Sequence, residues 1–163
     1  MEGGKLNNSW LIGLSFLVAL VLMVYPLPLD WRWLRPELMC LLVIYWVLRF
    51  PQLLGVGMAF LLGLVQDVVQ GSLLGQHALA LVVTIYITQL SIHRLRTYGT
   101  IQQMMWIFAL VAVHELFLYW VSMLLGREAL FAYFWAPALI SAFIWPLLSH
   151  GLDRLCWVMR LGV

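Results

Sequence analysis

The sequence has little charge, little cysteine and no extended polar segment. Nine Lys/Arg and seven Asp/Glu are scattered over 163 residues, so 10% of the chain is charged, where an ordinary soluble domain carries about 25%. The cations form no basic stripe, which excludes the clustered phosphate contacts of a nucleic-acid binder. Two cysteines, Cys40 in an apolar run and Cys156 near the end of the chain, give no disulfide framework and read as apolar-like thiols. A Gly-rich phosphate cradle is missing, and no Ser or Cys has a base at a useful spacing. His77, His114, Asp67 and Glu115 lack the His-x-x-x-His or Glu-x-x-His spacing of metal sites, and cysteine does not join them. No catalytic residue, cofactor or metal is therefore expected.

What the chain has in excess is apolar surface. Hydrophobic residues make up 64% of it, against about 45–50% in soluble domains, more than a water-soluble fold of this size can hide. Lipid is the expected solvent. Polar punctuation separates six apolar runs, at 10–25, 34–50, 53–70, 73–92, 101–125 and 129–150. These runs are continuous, whereas barrel strands alternate in segments of about 10 residues, so helices are the solution that satisfies the backbone in lipid. The expectation is an all-α, polytopic membrane protein: one integral-membrane domain over 1–163, folded as a six-transmembrane-helix bundle. Six spans of about 20 residues leave too little chain for a folded domain outside the bilayer. The first run lacks a strongly basic start and an Ala-x-Ala site and is followed by Pro26-Leu-Pro28, the pattern of an uncleaved anchor. An even number of spans puts Lys5, Arg49, Arg94, Arg96, Arg154 and Arg160 on one side and Arg32, Arg35 and Arg127 on the other. That split predicts both termini in the cytoplasm.

The most informative stretch is Gly63-Leu-Val-Gln-Asp67-Val-Val-Gln-Gly71-Ser-Leu-Leu-Gly75, with a small or acidic residue every fourth position. The spacing predicts a helix that ends near Gly71 and a turn through Gly71–Gly75, with Asp67 about one turn from the helix end. Gly63 then permits close packing of a neighbouring helix or of a separate membrane protein. A carboxylate inside lipid costs roughly 2.5–3.5 kcal/mol and needs a partner or water. Arg35, on the same predicted side, is a candidate to pair with Asp67; the alternative is a partner-binding or gating role. Glu115 is the other acid within an apolar run. Adjacent helical residues diverge by about 100°, so His114 and Glu115 cannot face one point. Glu115 is expected to hydrogen-bond Gln76, Thr84 or Thr88, or to offer a polar patch to a partner helix.

Three blocks together resemble a known family: Leu34-Arg35-Pro36 with Leu41-Leu42-Val43-Ile44-Tyr45-Trp46, the Gly63/Asp67/Gly71/Gly75 stretch, and Phe134-Trp135 with Trp145-Pro146. The sequence is similar to the MreD family of bacterial rod shape-determining membrane proteins over nearly its whole length. An acid in the fifth run followed by a Trp, here Glu115 and Trp120, also matches. The resemblance implies a non-enzymatic inner-membrane scaffold of the cell-elongation machinery. Its implied partners are a bitopic periplasmic protein (MreC), the actin-like filament protein MreB, and the polymerase and transpeptidase that build lateral peptidoglycan. It also implies the fold of the substrate-binding subunit of energy-coupling factor transporters. The competing function is a small-molecule (vitamin)-binding transporter subunit, for which Thr84, Tyr86, Thr88, Gln89 and Glu115 would have to converge on a cavity. Arg35, Gly63, Asp67, Gly71, Gly75 and Glu115 are the candidate partner-binding or helix-packing residues.

Overall fold

The computed structural model describes residues 3–24, 36–126 and 135–158, with side chains from Trp10 onward. Among these residues the chain is all helical: α1 (Gly3–Val24), α2 (Leu38–Arg49), α3 (Val56–Gln70), α4 (Gln76–Leu90), α5 (Ile92–Thr97), α6 (Thr100–Leu124) and α7 (Trp135–Val158).

Helix α2 is the most deeply buried helix of the bundle. Every residue from Met39 to Leu48 is buried, against α1, α4, α6 and α7. A helix of 12 residues is only about 18 Å long, and the unpaired backbone groups at its ends need partners. The amide of Glu37 donates to Ser141 Oγ of α7 at 3.1 Å. At the other end the carbonyl of Leu48 accepts from Arg96 of α5, through Nε at 2.8 Å and through Nη2. In mid-helix Trp46 donates its indole N–H to Ser15 Oγ of α1 at 2.9 Å. Leaving that buried N–H without an acceptor costs about 1–3 kcal/mol, and Ser15→Ala is expected to lower stability by that amount in denaturant titrations in mild detergent. An unchanged midpoint would mean that the bond contributes nothing.

The outer helices turn apolar residues outward. Only Ala59, Gly63, Gln66 and Asp67 of α3 are buried, while Met58, Phe60, Leu61, Val65 and Val68 are exposed. Helices α6 and α7 are each long and apolar enough to cross a membrane, yet only 22% of either apolar window is buried. The core helix of a soluble protein hides most of its surface, so these two fit a membrane. Residues Trp10–Val24 and helices α2, α3 and α4 are apolar but shorter.

Several boundaries differ from the sequence expectation. The run at 73–92 starts as helix only at Gln76, after the glycine turn, and a separate short helix, α5, follows Ser91. The last helix continues past His150 to Val158 with Pro146 inside it, because neither Gly151 nor Pro146 breaks the register. That extension brings Asp153 against Arg49 and Tyr45, with a 2.6 Å hydrogen bond from the tyrosine hydroxyl.

Candidate functional site

The glycine–aspartate stretch forms the joint between α3 and α4. Helix α3 ends with Gly71 in the left-handed region (φ 63°). The amide of Ser72 donates to the Asp67 carbonyl at 3.0 Å and that of Gly71 to Val68 at 3.3 Å, the paired closure that favours glycine at this position. Gly75, also at positive φ (99°), redirects the chain into α4.

The Asp67 side chain, fully buried, reaches across this joint. Its Oδ2 accepts from the Gly75 amide at 2.8 Å. Its Oδ1 accepts from the His77 amide at 2.9 Å, the Ser72 hydroxyl at 2.8 Å and His77 Nδ1 at 2.7 Å. The first amides of a helix have no intrahelical partner, and negative charge is favoured there. The carboxylate of one helix thus caps the next. Aspartate, histidine and serine meet here, but without the geometry of a catalytic triad. Ser72 Oγ lies 3.2 Å from the same Nδ1 that faces Asp67, whereas a nucleophile must sit on the opposite ring nitrogen. The arrangement holds the turn shut.

One turn earlier, Gly63 lets the backbones of α3 and α4 touch. A Cβ placed there would lie 2.3 Å from Ala78 Cα and 2.6 Å from Ala78 N. The four-residue period thus joins three tasks: close approach at Gly63, capping at Asp67, and turning at Gly71 and Gly75. Arg35 lies outside the described residues; the partners described for Asp67 all come from its own helical hairpin.

Glu115 departs from its expected bonding. Thr84 and Thr88 donate to carbonyls of their own helix, Ala80 and Thr84, both at 2.8 Å, and Gln76 Nε2 donates to the Leu118 carbonyl at 3.4 Å. The helical twist explains this. His114 is the residue of the pair that faces α4, its ring 6.3 Å from that of His77. Glu115, one position on, is rotated by about 100° from that face. Its Oε1 is buried with no hydrogen-bond partner among the described residues, as are Gln76 Oε1 and both amide atoms of Gln66. The groups nominated for a vitamin cavity do not converge: the threonines are satisfied locally and Tyr86 points outward. No group of three or more His, Cys, Asp or Glu among the described residues could hold a metal ion.

Sequence reasoning missed His77 and Ser72. The signal was available: a buried acid demands donors, and a serine and a histidine follow Asp67 within ten residues.

The family model for rod shape-determining protein MreD matches residues 5–152, from α1 into α7, with the whole α3–α4 joint inside it. The chain belongs to the MreD family. It is 34% identical over 143 residues to the rod shape-determining protein MreD of Haemophilus influenzae, covering 85% of this chain and 86% of that protein. No solved structure matches. MreD membership supports a role in rod-shape determination at a membrane, in a family known for structure rather than catalysis.

Proposed function

We propose that this chain is a six-span scaffold of the bacterial inner membrane that maintains rod shape by gripping other membrane proteins. The spans are α1, α2, α3, α4, α6 and α7, with the basic end of the bundle, and hence both termini, in the cytoplasm. Its direct partner is the single transmembrane helix of an MreC-like bitopic protein, through which it acts on an MreB-like filament and on the polymerase and transpeptidase of the wall. Family membership carries this reading. The outward apolar faces of α3, α6 and α7 support it, as does the carboxyl of Glu115, whose Oε1 has no hydrogen-bond partner among the described residues. A carboxyl in an apolar helix is costly without a partner, and a donor on an incoming helix would supply one.

Depletion in a rod-shaped host tests the role: rounded cells are expected, and normal rods would overturn it. In the same host, affinity recovery of the bitopic partner should fall about tenfold for Glu115→Leu, the loss of one hydrogen bond at about 1.4 kcal/mol, and stay near wild type for Glu115→Gln. Equal recovery with both variants would remove Glu115 from the contact.

A further inference from the structure

A cavity of about 520 Å³ opens among α2, α5, α6 and α7 at the end of the bundle opposite Asp67, and the role of the α3–α4 joint does not involve it. Two guanidinium groups line it. Arg96 spends Nε and Nη2 on the Leu48 carbonyl, which fixes its plane and leaves Nη1 without a partner among the described residues. Arg49 is held by Asp153, with its guanidinium carbon 6.0 Å from the centre of the Tyr45 ring. Gln103 stiffens the far wall: its Oε1 accepts from the buried Trp145 indole at 3.2 Å, and its Nε2 donates to the Leu95 and Tyr98 carbonyls. Two fixed cations against one carboxylate leave one positive charge in a cavity with aromatic walls.

We propose that this cavity takes a single phosphate group. The charge matches one such group. Guanidinium forks fit phosphate oxygens in pairs, and a volume within about 300–1,000 Å³ is that of a small-molecule site. Two sources carry that chemistry: the headgroup of an anionic phospholipid and a soluble phosphate. The lipid is the nearer one. Basic pockets between membrane helices on the cytoplasmic side hold anionic headgroups, and this placement rests on the membrane orientation proposed above. A second cavity, of about 390 Å³ and lined by leucines that include Leu38, Leu42, Leu148 and Leu152, lies between α1 and the same α2 and α7.

The test uses the full chain in neutral detergent, with native mass spectrometry of bound phosphatidylglycerol against phosphatidylcholine of the same acyl chains, with and without inorganic phosphate. Phosphatidylglycerol should bind at least tenfold better, and Arg49→Gln should abolish the preference. So should Ser149→Glu, which puts a negative charge into the cavity while leaving both arginines in place. Arg94→Gln, an exposed cation outside the cavity, should leave the preference unchanged. Displacement of the lipid by millimolar phosphate supports the phosphate site with a soluble source; retention supports the lipid. Equal binding of both lipids with no response to phosphate overturns the proposal, and so does an equal loss in Arg94→Gln or capture of a polyglutamate peptide in place of either phosphate source. Flotation with pure phosphatidylcholine vesicles separates the two readings: a chain that floats but lacks headgroup preference defeats only this site, whereas one that does not float defeats the membrane placement.

Discussion

Asp67→Ala is expected to destabilise the purified chain by about 3–5 kcal/mol, because several buried donors lose their acceptor at about 1–3 kcal/mol each. The substitution removes the acceptor for two amides, one hydroxyl and one imidazole at once, and His77 and its amide are buried. Asp67→Asn keeps one acceptor oxygen in the same place and should recover roughly half of the loss. Denaturant titration in mild detergent reads the difference. Thiol labelling of a reporter Leu74→Cys, in the turn, should quicken in the alanine variant as the joint opens. A chain with Asp67→Ala that unfolds at the wild-type midpoint would show that the cap adds no stability.

Gly63→Leu should have a larger effect still. Even a methyl group collides with the Ala78 backbone, and backbone cannot rotate away as a side chain does. Overpacking costs about 1–3 kcal/mol where the surroundings can adjust; backbone this close can yield only by parting the two helices, so Gly63→Ala should lie at or above the top of that range. Gly63→Leu should separate α3 from α4 and abolish the monodisperse peak in size exclusion. Gly57 lies on the same helix with nothing within 4 Å of an added Cβ, and Gly57→Ala should change stability by no more than about 1 kcal/mol, in the direction of helix propensity. Matching behaviour at the two positions would refute the close approach. Both experiments also recast the glycine–aspartate stretch. Its groups face inward or hold the turn, so their loss would impair the function by dismantling the scaffold rather than by removing a contact with a partner.

The turn was legible in the sequence because its chemistry is local. Two glycines four apart after an apolar run, with an aspartate one turn back, predict a helix end and a reversal, and the structure has both. The partners of Asp67 were less legible. A search for a charge to neutralise it points to Arg35, while four of its donor bonds come from neutral hydroxyl and amide groups and a histidine close by in sequence. The rank of α2 as the most deeply buried helix was not legible at all. In water a buried helix differs from a surface helix by its lack of a polar face. In lipid both environments are apolar, so the buried run Met39–Leu48 reads like its neighbours. The short helix α5 escaped because its arginines resemble a loop, and the work of Arg96, satisfying a carbonyl of α2, depends on a contact across 48 residues.

The unequal helix lengths have a consequence for the surrounding bilayer. Helices α3 and α4, of 15 residues each, rise about 22 Å, whereas the 25 residues of α6 rise about 37 Å. In the six-span arrangement proposed above, a hydrocarbon layer of about 30 Å would pinch inward along the α3 flank and be met by tilt along α6. The protein would then carry a collar of lipid that is thin on one side only, a directional dimple that gives a preferred side of approach to anything sensitive to membrane thickness.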